Sequence, residues 1–160
     1  CQDNEISWLN WDFLEKNREI HDFTKGVISF RKAHPIIRRG EFFTGKQMPG
    51  KSSEDIKWFD PKGIEPDWND KKNIIALLIN GEYALDKKNI QDSDIYMMFN
   101  ASGKNTVFII PPAPNGKKWK VAINTAESQG LDIFNKDEPE VNKNFFTVKS
   151  HSMAVLVANI

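Results

Sequence analysis

Hydrophobic positions in this chain keep a helical spacing up to about residue 35 and an extended spacing after it. Phe13, Ile20, Phe23, Val27 and Phe30 recur at intervals of seven, three, four and three, with Leu14 and Ile28 widening the stripe. That spacing puts them along one side of an amphipathic helix. Asp12 followed three residues later by Glu15 fits a capping box and predicts the helix start. Pro35 predicts its end, because the residue before a proline is pushed out of the helical region. From Gly40 onward the chain breaks into short runs rich in β-branched and aromatic residues, separated by turn formers. These are Glu41 to Gly45, Asp55 to Phe59, Asn73 to Asn80, Asp94 to Asn100, Thr106 to Ile110, Lys118 to Asn124, Asn144 to Val148 and Ser152 to Ala158.

The runs differ in how they are expected to be covered. Ile74 to Ile79 has no alternation and predicts a central strand with both faces buried. Trp119, Val121 and Ile123 alternate with Lys118, Lys120 and Ala122, which predicts one apolar face and one wet face. Met153, Val155 and Val157 repeat that logic at the end. Asn80-Gly81, Ser102-Gly103 and Asn115-Gly116 supply backbone freedom for tight connections, and Pro111-Pro112-Ala113-Pro114 stops a strand. The expected fold is mainly β: an antiparallel sandwich of about eight strands preceded by one long amphipathic helix. A boundary near Pro35 to Gly40 divides the chain into residues 1–35 and 36–160.

A chain of 160 residues with 39% hydrophobic content has material for one ordinary core. Lys plus Arg equals Asp plus Glu at 22 each, so no net field favours nucleic acid or an anionic membrane, and a neutral ligand fits better. The longest apolar run falls far short of the roughly 20 residues that a membrane helix needs. The single cysteine, Cys1, forms no internal disulfide. A cysteine at the first position followed by Gln2-Asp3-Asn4 also fits a lipid-modified surface protein. Against this, Ile6, Trp8, Leu9 and Trp11 demand burial within a few residues, where such a protein places a tether.

No catalytic constellation stands out. Asp3 and Glu5 lie in polar surroundings that suit ligand hydrogen bonding better than acid catalysis. Asp92 and Asp94 read as a solvated turn before a strand. His21, His34 and His151 are dispersed without metal-ligand spacing, so each is expected to be structural and no metal or cofactor is expected. His34, at the helix terminus, is placed to hydrogen-bond the last carbonyls. Cys1 has no identifiable base, and Ala101 to Asn105 is a hairpin turn without a phosphate-loop pattern.

The residues Asp3-Asn4-Glu5-Ile6-Ser7-Trp8-Leu9-Asn10-Trp11, then Arg31-Lys32-Ala33-His34-Pro35 and the ending His151-Ser152-Met153-Ala154-Val155-Leu156-Val157, resemble bacterial glycogen debranching enzymes of the α-amylase superfamily, of isoamylase or pullulanase type. The resemblance implies that residues 1–35 are the last loop and helix of a β/α barrel, and that residues 36–160 are the Greek-key C-terminal β-domain of such an enzyme. It implies a cytoplasmic parent that cleaves α-1,6 branch linkages in glycogen or branched maltooligosaccharides, with its catalytic carboxylates all upstream of Cys1. This chain would then carry no catalytic residue. Barrel loops of this kind line the active face, so Asp3, Asn4, Glu5 and Trp8 become the candidate substrate contacts. The implied partners are an α-glucan, the upstream barrel and, for the chain alone, a second copy covering the helix stripe. The alternative is a free-standing glycan-binding module, lipid-anchored through Cys1, with Trp58, Trp68 or Trp119 stacking on sugar rings. Of these three, only Trp68 reads as solvent-facing, which supports weak glucan affinity at most.

Overall fold

The computed structural model describes residues 2–84, 91–127 and 139–158, so Cys1 and the lipid-anchor reading built on it lie outside the described residues. The helical region is two segments, α1 (Asp12–Lys16) and α2 (Arg18–Ala33), where one helix was expected. Asn17 separates them at φ −117° and ψ 31°, yet its N–H still reaches Phe13 O at 2.9 Å and its carbonyl receives His21 N–H at 3.1 Å. The capping box does not form. Asp12 is the first helical residue, its N–H goes to Asn10 Oδ1 at 2.9 Å, and Glu15 turns to Arg18 one turn further on. Asn10 thus takes the capping role two residues early, and the nearby guanidinium outcompetes a backbone amide for Glu15. Pro35 ends α2 as expected, with a 3-10 turn over Pro35–Arg38 and Ile36 fully buried behind it.

Among the described residues seven strands follow: β1 (Ile56–Phe59), β2 (Ile74–Ile79), β3 (Asp94–Asn100), β4 (Thr106–Ile109), β5 (Lys120–Asn124), β6 (Phe145–Val148) and β7 (Ser152–Ala158). A five-stranded antiparallel sheet has the order β1-β2-β3-β7-β5, and β4 pairs with β6 in a second sheet. The chain therefore crosses between sheets after β3, β4, β5 and β6, in Greek-key fashion. Between the sheets lies a cluster with Phe59, Tyr96, Met98, Phe108, Trp119 and Leu156. Tyr96 is its hub: ring centroids lie 5.8 Å from Phe59 and 6.0 Å from Trp119, and burial pushes its phenol pKa up. The Trp119 indole N–H is not stranded, donating to Pro111 O at 2.8 Å.

The other face of the large sheet carries a second cluster with Ile36, Leu77, Ile95, Ile123 and Val157, and Phe23 and Phe30 of α2 pack against it. The result is three layers, helix on sheet on small sheet, each closing an apolar face that the previous one leaves open. β2 is central and buried on both faces, as its unbroken apolar run predicts: Ala76 faces one cluster and Leu77 and Ile79 the other.

Two strands depart from their expected alternation. β7 has no wet face, because it sits between β3 and β5 with Ala154 and Leu156 on one side and Val155 and Val157 on the other. In β5 the register against β7 shifts between Val121 and Ile123. Val121 therefore joins the inter-sheet cluster while Ala122 and Ile123 join the helix-side one, since an extra residue re-aims the side chains after it. Glu41 to Gly45 forms no strand. Its amides are drawn to a buried carboxylate instead: Thr44 and Gly45 N–H donate to Asp55 at 2.9 and 2.8 Å, and Gly45 adopts φ +66°, a left-handed conformation that glycine tolerates.

Candidate functional site

The four residues singled out at the amino end come together in one small turn. Asn4 builds it: its side-chain oxygen receives Ile6 N–H at 3.1 Å, and its carbonyl receives Ser7 and Trp8 N–H at 3.0 and 3.1 Å. The turn brings Trp8 back over Asp3, and the indole N–H donates to Asp3 Oδ1 at 2.6 Å. With its polar edge tied down, Trp8 still leaves 64% of its surface open. Asp3 retains lone pairs for other donors, as an ionised carboxylate accepts at both oxygens. Glu5 is exposed beside them. The arrangement is an aromatic face with adjacent hydrogen-bond acceptors, which suits a polyhydroxylated ligand. It is not an acid–base pair, since Glu5 is solvated and Asp3 is engaged by the indole.

The burial expected for this segment does not occur. Ile6, Trp8, Leu9 and Trp11 are all exposed, as are Phe13, Ile20 and Ile28 along the helices. Only the Phe23 and Phe30 edge of the stripe meets the sheet. The stripe is wider than one contact needs, and its remaining width, with Phe13, Ile20 and Ile28, stays exposed.

Three carboxylates that the sequence places in a turn or at a strand start are buried and organise the domain. Asp92 and Asp94, expected in a solvated turn, are enclosed. Asp92 takes His34 Nδ1 at 2.8 Å, Ile36 N–H at 2.9 Å and Ser93 N–H at 2.7 Å, so it pins the end of α2 onto the sheet. Asp94 receives Gly81 N–H at 2.9 Å and faces Lys117 at 3.6 Å. A Cβ on Gly81 would fall 2.1 Å from Asp92 O, which explains glycine at this close approach. The His34 ring, tilted 46° to Phe30 at 4.4 Å, engages Asp92 and not the helix carbonyls, while its backbone N–H donates to Phe30 O at 3.1 Å. Asp55, 1% exposed, gathers Thr44 and Gly45 amides and the Arg39 guanidinium at 3.3 Å. The lone pairs of all three are directed at backbone amides, joined by an imidazole at Asp92 and by cations at Asp55 and Asp94, which is a structural use. Acidic residues beside Ser and Asn look like turn composition, and only their distant partners distinguish them.

Of the tryptophans, Trp119 is in the core, Trp58 is half-buried and Trp68 is open to solvent. Among the described residues no three His, Cys, Asp or Glu side chains converge to hold a metal ion, and no helix is long and apolar enough to cross a membrane.

Comparison with known proteins places this architecture. The family model described as isoamylase, C-terminal, matches residues 55–157. The glycogen operon protein GlgX homolog of Mycobacterium tuberculosis is 30% identical over 98% of this chain, which spans 22% of that protein. An isoamylase of Pseudomonas amyloderamosa is 28% identical over 82% of this chain and 16% of its own length. Pullulanase from Bacillus acidopullulyticus superposes with a TM-score of 0.58 at 14% identity, over 92% of this chain and 15% of that one, a likeness of fold. The chain spans about a fifth of the length of the curated relatives it matches.

Proposed function

The chain belongs to the isoamylase C-terminal family, and from that premise we propose that it is the carboxyl-terminal part of a cytoplasmic glycogen debranching hydrolase that cleaves α-1,6-glucosidic branch linkages. In this reading residues 1–35 complete a β/α barrel and residues 36–160 form the β-domain that braces it. The observation that carries it is the extent of the likeness. The family model begins at residue 55, but the alignment to the glycogen operon protein runs over 98% of the chain and so includes the Trp8 turn and α2. Physical support comes from the exposed apolar side chains of Trp8, Leu9 and Trp11 before the helices and of Phe13, Ile20 and Ile28 on them. So many exposed large apolar groups, on and just before a helix already packed on one side, suit a second body, since exposed apolar patches mark interaction surfaces.

The Asp3–Trp8 pair then stands at the rim of the barrel's active face, with Asp3, Asn4, Glu5 and Trp8 contacting the α-glucan. The chain itself supplies hydrogen bonds and a stacking surface, while the acid and nucleophile come from the barrel. The decisive test has two parts. The coding sequence upstream of Cys1 is expected to encode several hundred residues with barrel patterning, and an apolar leader ending at Cys1 would overturn the proposal. In the intact polypeptide, Asp3→Ala is expected to lower kcat/KM on branched glucan by about 1–3 kcal/mol of transition-state binding. Unchanged kinetics would remove Asp3 from the site.

A further inference from the structure

The loop joining β1 to β2 carries Trp68, whose side chain is 64% exposed. An exposed tryptophan is usually free to move, but this one is buttressed. Its ring meets Trp58 in an edge-on arrangement, with centroids 5.7 Å apart and planes at 76°. Trp58 in turn sits opposite Leu77 in the β1–β2 ladder and packs against the helix-side core cluster. The indole is therefore braced on the sheet through Trp58 while most of its surface stays open. The loop is held by its own aspartates: Asp60 receives Lys62 N–H at 2.8 Å and Ile64 N–H at 3.1 Å, and Asp67 receives Asn69 N–H at 2.9 Å. Beside Trp68 opens a cleft of about 340 Å³, with Ile75 and Ile64 among its apolar walls and Asp60, Glu65, Asp70 and Asn73 among its polar ones.

We propose that this cleft is a second saccharide subsite, taking a neutral α-glucan chain with one sugar ring against the Trp68 face and its hydroxyls on the surrounding carboxylates. The choice of α-glucan among sugars rests on the function proposed above, whereas the choice of a sugar rests on the cleft. Carboxylates accept hydrogen bonds and cannot donate them when ionised, so they match hydroxyl donors and repel anions. Lys72 neutralises Asp70 at 2.8 Å, and the pair presents both a donor and an acceptor. A quaternary ammonium is the competing ligand for an acidic aromatic site, but it needs a cage of several aromatic faces. Here Trp58 and Trp68 meet edge to face, so the two rings do not stand as facing walls, which is enough for a flat pyranose ring against Trp68 and too little for a cage. The cleft is at the small end of ligand pockets, roughly 300–1,000 Å³, so the affinity belongs in the millimolar range.

The test is a titration of the chain with maltoheptaose, followed by the indole N–H resonances in a nitrogen–proton correlation spectrum. Saturable binding with Kd of about 1 mM is expected, with the largest shift at the Trp68 indole. Trp68→Ala should weaken binding by about tenfold or more and Trp68→Phe should retain most of it. Because Trp68 is exposed, neither change is expected to disturb the fold. If either did, the Trp68 shift in the unsubstituted chain would still decide. Tetramethylammonium is the cation control and should leave the Trp68 resonance in place. A Trp68 resonance unmoved by maltoheptaose, equal binding by Trp68→Ala, or a larger response to tetramethylammonium would each overturn the proposal. The outcome is separable from the debranching reading, because hydrolysis of branched glucan by the intact polypeptide is measured independently of this titration.

Discussion

At the scale of single residues, the strongest determinants of this domain are polar and buried. Asp55 holds three separate things in register: the amides of Thr44 and Gly45, the guanidinium of Arg39, and through its own carbonyl the N–H of Asn80 at 3.1 Å. Arg39 is fixed further by its stacking on Phe43, 4.6 Å from the ring centroid. Removing one member of such a set leaves the others desolvated without a partner, which is why breaking a buried pair costs far more than the pair is worth as a whole. Asp55→Ala is accordingly expected to destabilise the chain by about 3–5 kcal/mol, read as a fall in the urea midpoint with an unchanged slope. A loss below about 1 kcal/mol would show that water replaces the carboxylate. None of this was visible in the sequence, where Asp55 is the first residue of a β run and Asp92 and Asp94 resemble turn residues. Partners such as His34 and Ile36 for Asp92 are some 56–58 positions away, and no local pattern encodes a hydrogen bond over that separation.

At the scale of elements, legibility follows how much a segment's neighbours decide. β2 was readable because an unbroken apolar run allows only a doubly covered strand. α2 was readable from its period and from Pro35. β5 and β7 were misread on one point, the wetness of their outer faces, because small residues such as Ala122 and Ala154 look neutral in sequence and become core only through the β5 bulge and the central position of β7. Glu41 to Gly45 looked extended because nothing in it announces the carboxylate that captures its amides. The helix stripe is apolar as its spacing predicts, but its division into a packed edge and an open one required the structure: Phe23 and Phe30 meet the sheet, while Phe13, Ile20 and Ile28 remain exposed. Among the described residues nothing covers that exposed edge. Self-association is therefore expected, visible by light scattering as a mass rising with concentration into the high micromolar range, and Ile20→Glu should shift it toward monomer. A strictly monomeric unsubstituted chain would show that the exposed edge does not drive association.

At the scale of the whole molecule, the proposed division of labour between this domain and a catalytic barrel bears on what its carboxylates are occupied with. Glycoside hydrolysis requires two carboxyl groups flanking one bond, the acid with a raised pKa and the other ionised. The chain has 22 Asp and Glu residues, and five of those in the described residues are either committed to backbone amides or held ionised by their neighbours. Asp55, Asp92 and Asp94 are committed to backbone amides. Glu82 has its pKa held down, first by the Ser52 amide, and Glu140 has its pKa held down by the Lys118 ammonium. A carboxyl held down in this way stays ionised at neutral pH and cannot serve as the proton donor. The purified chain is therefore expected to release no reducing ends from glycogen, pullulan or branched maltooligosaccharides, even at high protein concentration and long incubation. Release that grows with time, survives removal of contaminating enzymes and is lost in Asp3→Ala would place chemistry at the Trp8 turn, and the assignment of the acid and nucleophile to an upstream barrel would then have to be withdrawn.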